Sequence, residues 1–337
     1  MTIKFAIAGA GYIANYHARA IQASKDAELV AVVEKYHEMG EPFAKLYQVP
    51  KLFQTVNELT SQGGIDALVI GTPNFLHAPQ TIMALDAGIH VMVEKPMAMN
   101  SVEAQKMIVA ANDSGCKLMV AHCWRFDEEV RWLKEQIAKD RIGRVIRTKG
   151  YGVHTHWGPS GWFTKKNLAG GGALVDMGIH AIDTARFLLG DPMAVDVFAR
   201  IGTYFGDYDV DDTGMLTIGW DNGAISYVES GWWQPHMDGP EASTQVYGTK
   251  GFGNVFPTLL EIPDIDHERV DVINPGYPHP RQEHCPQLMY SNQLAYFVKC
   301  IQDDIQPIPG GSEGLVNMSI LDAAYRSAKI GKVVGLN

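Results

Sequence analysis

Through residue 121 the chain alternates short apolar runs with amphipathic stretches. Ile3-Lys4-Phe5-Ala6-Ile7-Ala8 predicts a buried strand, followed by a glycine turn and a helix over about 12–24. The alternation then repeats as strand 29–34 and helix 38–48, strand 66–71 and helix 76–87, strand 89–94 and helix 100–115, with a last strand at 117–121. Near-continuous apolar strands separated by helices are the pattern of a parallel sheet covered on both faces. The apolar start breaks at Gly9-Ala10-Gly11, too soon for a leader peptide, and reads as the first strand.

Beyond residue 122 the period changes. After a helix at about 126–140, the pattern predicts strands at 144–154, 194–205, 213–220, 223–231, 243–248 and 268–273, with Asp221-Asn222-Gly223 as a hairpin turn. A helix over 172–189 interrupts them, and two more at 288–303 and 313–331 close the chain. Strands that follow one another without helices predict a large, mostly antiparallel open sheet. The fold class is therefore α/β over residues 1–122, as a dinucleotide-binding domain, followed by an α+β domain over 123–337. The Pro- and His-rich stretch 274–286 reads as a long surface loop.

Composition narrows the partners. At 46% hydrophobic and 20% charged residues, the chain is not a largely disordered one. The 28 basic and 38 acidic residues give a net charge of −10 with no basic run, which speaks against nucleic acid or an anionic membrane surface. No apolar stretch approaches the roughly 20 residues of a membrane span. Cys116, Cys123, Cys285 and Cys300 form no CxxC, which argues against a disulfide framework or a structural zinc and for a reducing, cytoplasmic setting.

The chemistry begins at Gly9-Ala10-Gly11-Tyr12-Ile13-Ala14, a G-x-G-x-x-A turn that follows a strand and opens a helix, as a Rossmann dinucleotide fingerprint requires. The helix N-terminus offers amides to a pyrophosphate. Glu34 ends the second strand, where a carboxylate accepts hydrogen bonds from the adenosine ribose hydroxyls and repels the phosphate of NADP; Lys35 beside it pulls the other way. NAD is thus expected over NADP. Thr72-Pro73-Asn74 and Glu94-Lys95-Pro96 each lie just past a parallel strand, the edge where open α/β sheets bind ligands.

Gly170-Gly171-Gly172 opens the most informative helix. It is apolar nearly all round, yet Asp176, His180 and Asp183 fall at i, i+4 and i+7 on one stripe. Buried ionisable groups are costly unless paired or facing a cleft, so the stripe reads as a site or as a capping Asp–His pair.

Taken in order, Gly-x-Gly-x-x-Ala, Thr72-Pro73-Asn74 with His77, Glu94-Lys95-Pro96, and Gly-Gly-Gly with Asp176-x-Gly-x-His180 resemble the Gfo/Idh/MocA family of NAD(P)-dependent oxidoreductases, over essentially the whole chain. The resemblance implies oxidation or reduction of a hydroxyl–carbonyl pair on a sugar, inositol or related polyol. It implies catalytic roles for Lys95, Asp176 and His180, and a cofactor contact set of Gly9, Gly11, Tyr12, Ile13, Glu34, Thr72, Pro73, Asn74, His77, Glu94 and Lys95. Arg125, just after the first domain, resembles a substrate-contacting arginine of the family, the alternative being a domain-interface salt bridge. His154 and Trp162 join Lys95, Asp176 and His180 as candidate substrate contacts, Trp162 as a stacking platform for a sugar ring.

His154 and His156 are expected on one strand face, and with His279, His284 and Cys285 they raise a metal reading. Their spacing matches no firm ligand pattern, and hydride chemistry needs no metal, so none is assigned. Substrate choice is expected to lie in 154–168 and 232–242. Family members pair through the second-domain sheet, and Tyr204, Phe205, Trp220, Tyr227, Trp232 and Trp233 read as aromatic surface for a homodimer or homotetramer, with sheet packing as the other reading of Trp232-Trp233. A dihydrodiol or other carbonyl oxidoreductase, or a non-catalytic dinucleotide- or sugar-sensing regulator, remains the alternative on the same scaffold.

Overall fold

The computed structural model describes residues 2–235, 241–281, 283 and 285–336. The chain runs β1 (Ile3–Ala8), α1 (Tyr12–Ala23), β2 (Ala27–Val33), α2 (His37–Leu46), β3 (Lys51–Phe53), α3 (Val56–Gln62), β4 (Ala67–Ile70), α4 (His77–Asp86), β5 (His90–Glu94), α5 (Ser101–Ser114) and β6 (Leu118–Ala121). It continues with α6 (Glu128–Ala138), β7 (Val145–Thr155), α7 (Lys166–Ala169), a π-helical turn (Leu174–Gly178), α8 (Ile179–Leu189), β8 (Ala194–Gly202), β9 (Thr213–Trp220), β10 (Ile225–Gln234), β11 (Ala242–Gly248), β12 (Phe252–Val255), β13 (Leu259–Asp264) and β14 (Arg269–Ile273). Helices α9 (Gln287–Gln302) and α10 (Gly311–Ile330) and strand β15 (Val334–Gly335) close it.

Two compact units result. The first comprises Met1–Cys123 and Pro286–Met318, the second Trp124–Cys285 and Ser319–Asn337. Residues 286–318, expected in the second domain, therefore sit in the first. The cause is apolar burial. Leu294 and Phe297 of α9 are fully buried, Phe297 against Phe5 of β1 at 6.3 Å between ring centroids, and Tyr290 lies tilted against Tyr16 of α1 at 4.7 Å. A helix contributing this much aromatic surface joins the core that its rings complete.

The first unit holds a six-stranded sheet in the order β3-β2-β1-β4-β5-β6, every described pair parallel. This is the doubly wound order, and its direction reverses between β1 and β4. Ala8 lies opposite Val33 on one side and Ile70 on the other, so the turns that follow β1, β2 and β4 share one edge. β3 and α3 were not legible in the pattern: β3 is three residues long, and only Val56 and Leu59 of α3 are buried.

The second unit holds a nine-stranded sheet, β14-β13-β12-β11-β7-β10-β9-β8-β15, antiparallel except for the parallel pair β7–β10. The hairpin turn falls at Asp221-Asn222-Gly223 as expected, with Gly223 at φ +81. β12 and β13 escaped the sequence pattern because one is four residues with a central glycine and the other carries Pro263. Helix α8 and the π turn cover one face. That face takes the inward residues of β9 and β10, including Leu216, Ile218, Trp220, Val228 and Trp232. Trp220, expected on the open face, is thus a core residue, and Trp232 takes the sheet-packing role of its two readings; their strand parity places both inward. Tyr204, Phe205 and Trp233 stay exposed.

Candidate active site

The first unit assembles its candidate residues at the edge where β1, β2, β4 and β5 end. Gly9 has φ +93, and a Cβ there would stand 2.7 Å from the Gly71 carbonyl oxygen, so the close approach of the two turns requires glycine. Gly11 differs. Its φ is −80, ordinary for any residue, and a Cβ there meets nothing within 4 Å. Packing does not ask for glycine at this position, but a ligand lying against the turn would. No side chain caps α1, and its first turn holds no acid, so nothing there offsets the positive end of the helix that would attract an anion. Tyr12 is exposed on the same turn, and Ala14 is buried under it against the sheet. These residues fit a dinucleotide pyrophosphate.

Glu34 closes the turn from β2. One carboxylate oxygen accepts from the Ala10 amide at 2.9 Å and the other from the Tyr36 amide at 3.0 Å. The carboxylate is therefore held at the glycine turn. Lys35 instead places its ammonium over the Tyr36 ring, 5.5 Å from the centroid. Thr72, Pro73 and Asn74 follow β4, and the Thr72 hydroxyl donates to Gln80 Oε1 at 2.8 Å.

Two residues expected to touch cofactor do something else. His77 is buried, with Nδ1 2.7 Å from the Pro96 carbonyl and Nε2 2.8 Å from that of Thr72. It braces the loop after β4 to the loop after β5. Burial lowers its pKa, against the raising effect of the two carbonyls. Glu94 is buried as well, 2.7 Å from Nε2 of the fully buried His17 on α1, while its other oxygen accepts from the Lys95 amide at 3.2 Å. His17 and Glu94 thus tie the backbone of Lys95 to the dinucleotide helix. Lys95 itself is half-buried, and its bond to Pro96 is cis.

The second unit builds around the π turn. Among residues 171–186 all are buried except two, Asp176 and His180. A π turn makes i→i+5 bonds and is commonly found at functional sites. It also breaks the regular stripe read from sequence. Asp176 accepts a hydrogen bond from Nε1 of Trp232 at 3.1 Å and lies 3.4 Å from Nε2 of His154. His180, on the first turn of α8, lies beside the Trp124 ring at 6.0 Å. Asp183 turns elsewhere: it is buried in a bidentate pair with Arg125, both contacts at 2.8 Å.

That pair corrects the reading of Arg125 as a substrate contact. Its guanidinium makes four hydrogen bonds, two to Asp183 and two to Asp191, and lies over the Phe187 ring. Burial alone would lower its pKa; the two carboxylates more than reverse that. Arg125 is a structural clamp on α8.

Asp211 fixes the start of the π turn and was missed in the sequence. Its carboxylate accepts from the Gly172 and Leu174 amides, both at 2.8 Å, and from the Tyr325 hydroxyl at 2.6 Å. A Cβ on Gly172 would come within 1.8 Å of the Asp211 carbonyl oxygen, which is why a glycine run precedes the turn. Burial pushes the Asp211 carboxyl up, against the lowering effect of these donors. Trp232 was also missed as an Asp176 partner. The inward parity of Val228, Ser230 and Trp232 is the signal that points to it.

His154 is buried at the end of β7, but His156 lies past the strand at φ +60 and is exposed, so the two do not share a face. Both His154 nitrogens face carboxylates, Asp176 and Glu241, which leaves neither ring nitrogen for the substrate contact expected of it. Trp162 stacks on Phe163 at 3.9 Å, and Phe163 packs on the cluster of Ala173, Val210 and Trp232. Among the described residues no group of three could hold a metal ion; His284 and residues 236–240 lie outside them.

Comparison with known proteins adds the family. The description "Oxidoreductase family, NAD-binding Rossmann fold" matches residues 3–122, and that of the GFO/IDH/MocA C-terminal domain matches 130–252. Inositol 2-dehydrogenase of Rhizobium meliloti (strain 1021) is 30% identical, covering 97% of this chain and 97% of its own. The chain belongs to the Gfo/Idh/MocA family. Another family relative, D-glucoside 3-dehydrogenase of Escherichia coli (strain K12), is 28% identical across 99% of this chain and 97% of its own. The crystal structure of an aldose-aldose oxidoreductase from Caulobacter crescentus, complexed with glycerol, covers the whole of both chains at 27% identity with a TM-score of 0.86. As a Gfo/Idh/MocA protein the chain is an oxidoreductase whose first unit is an NAD-binding Rossmann domain. Among the described residues no helix is long and apolar enough to cross a membrane.

Proposed function

We propose that this chain is an NAD-dependent dehydrogenase acting on a secondary hydroxyl of a sugar, sugar derivative or cyclitol, with Lys95, Asp176 and His180 at the reacting centre. The observation that carries the reading is the pair Asp176 and His180. They are the two least buried residues in a stretch of sixteen, 171–186, and one stands on a π turn built by Asp211 and Gly172. An ordinary buried helix has no use for two ionisable residues placed so.

Bound NAD supplies the hydride acceptor. The chain supplies the rest. Gly9, Gly11, Tyr12 and Ile13 receive the pyrophosphate, and Glu34 the adenosine ribose. Lys95, set by Glu94 and His17, offers positive charge to the oxygen on which alkoxide character develops. Asp176 orients the hydroxyl, and its proton passes either to His180, with Lys95 as the standing cation, or to Lys95 as a neutral amine that gains its charge in the step. The names of the relatives, inositol 2-dehydrogenase and D-glucoside 3-dehydrogenase, support a polyol ring as substrate. The test is NADH absorbance with NAD and a panel of cyclitols, aldoses and glycosides. Turnover of at least one is expected; turnover of none, with NAD bound, would sink the reading.

Cofactor choice follows from Glu34. A carboxylate already fixed by two amides cannot move aside for a ribose phosphate, so NADP is disfavoured by about 1–3 kcal/mol, roughly 5- to 150-fold. Glu34→Ala is expected to lose most of the preference in kcat/KM for NAD over NADP. A wild-type preference for NADP would show that Lys35 controls the pocket.

The chain is proposed to work as a homodimer or homotetramer in the cytoplasm. The outer face of the second-unit sheet leaves Met215 and Ile225 exposed, with Tyr227 half-buried between them and Tyr204 and Phe205 beyond the end of β8. Apolar and aromatic residues interleaved there with Arg147, Lys149, Arg200 and Glu229 fit a symmetric partner that pairs both kinds of side chain. The four cysteines are free thiols, which fits a reducing setting. Light scattering at micromolar concentration should give two or four times the chain mass; a monomer contradicts the assembly.

A further inference from the structure

Outside the three residues assigned to the reaction, the second unit holds a charged relay that the mechanism above does not use. His154 is nine-tenths buried at the end of β7. Its Nε2 lies 3.4 Å from Asp176 Oδ2, and its Nδ1 lies 3.3 Å from Glu241 Oε2, just before β11. Trp157 covers the ring, stacked at 3.6 Å between centroids, and donates its indole N–H to the other Glu241 oxygen.

We propose that Glu241 is a positioning residue: through His154 it keeps the imidazole doubly protonated and thereby fixes the orientation and charge of Asp176. The proposal rests on the assignment of Asp176 to the reacting centre.

A neutral imidazole has one N–H and one lone pair, so between two carboxylates one nitrogen would face an oxygen lone pair to lone pair. The imidazolium satisfies both sides at once. Two flanking carboxylates offset the cost of burying the charge, and Trp157 supplies an apolar cover on one face and an anchor for Glu241. Among the described residues the charged groups that face the ring are Asp176 from the π turn and Glu241, just before β11; β10 contributes the uncharged Trp232, which donates to the same Asp176 oxygen. Burial works to lower the His154 pKa, and the two carboxylates outweigh it, so the net direction is up.

The consequence is signed. With its pKa raised, His154 keeps its proton to a higher pH than an ordinary imidazole and releases it only as pH climbs past that raised value. Below that point Asp176 has a fixed cation on one side and the Trp232 N–H beside it, so its carboxylate stays ionised and aimed. His154 is then no base for the substrate. Above that point the trio of His154, Asp176 and Glu241 carries two uncompensated negative charges, and the geometry around Asp176 loosens.

The test reads His154 directly. The protein has 12 histidines, and ring-carbon NMR of the intact, substrate-free enzyme resolves their titrations, with His154→Gln identifying the signal. In the wild type, His154 is expected to titrate above the ordinary value of about 6.5. In Glu241→Gln the midpoint should fall by about one pH unit or more, the effect of losing one adjacent opposite charge. A wild-type midpoint at or below the ordinary value overturns the proposal without any variant. So does a midpoint unchanged in Glu241→Gln. With a turned-over substrate, the alkaline limb of kcat/KM in Glu241→Gln should move to lower pH while the acidic limb stays in place. A uniform loss at every pH would instead mark Glu241 as merely structural. The titration needs no substrate, so failure of the proposed activity and failure of this relay are separately visible.

Discussion

Lys95→Ala is expected to bind NAD nearly normally and to lose about 10²–10³ in kcat. The lysine stands at the end of β5, with its amide held by Glu94 and Glu94 held by His17. Its backbone is therefore placed before any ligand arrives, which is the condition under which a charge lowers a barrier instead of merely reorganising around it. Removing the side chain leaves the glycine turn, the α1 amides and Glu34 untouched, so the dissociation constant for NAD should stay within a few-fold. Stopped-flow or steady-state turnover, paired with NAD titration by fluorescence, separates the two effects. Near-normal turnover would return Lys95 to the role of an ordinary residue at a strand end.

Arg125→Ala is expected to act on stability. The guanidinium is buried and makes four hydrogen bonds to Asp183 and Asp191; its loss leaves the buried Asp183 carboxylate without its bidentate partner. Breaking a buried pair from one side costs about 3–5 kcal/mol. Since Asp183 lies on α8, one turn beyond His180, the same change loosens the helix that carries the candidate base. Urea denaturation should show a large fall in midpoint. A midpoint shift worth less than about 0.5 kcal/mol, with a raised KM, would restore the substrate-contact reading of this arginine.

The parallel half of the fold was legible because every strand of consequence is an apolar run and every helix is amphipathic. What escaped was short or marked by breakers: β3 at three residues, β12 around Gly253, and β13 with Pro263. Residues 286–318 were misplaced because periodicity reveals an apolar helix face but not which core that face completes. In the site, residue types at a strand end or on a helix stripe pointed to Lys95, Asp176 and His180. The stripe itself was overextended. It assumed a regular helix, whereas the π turn changes the phase and Asp183 goes to Arg125. His77 and Glu94 were read as ligands because motifs show adjacency to a site, not the direction of a side chain. Both prove to brace the loops that present Lys95. Partners distant in sequence, such as Trp232 and Glu241 around Asp176 and His154, depend on strand register and only the folded chain brings them together.

The central claim is hydride transfer from a ring carbon to NAD. Its most direct measurement uses the best polyol of the panel, deuterated at the carbon that bears the reacting hydroxyl, with mass spectrometry of the NADH formed. The account predicts that the deuterium appears on the nicotinamide ring in proportion to turnover, with Lys95→Ala forming the same labelled product far more slowly. Consumption of the polyol with no deuterium in the cofactor would contradict it.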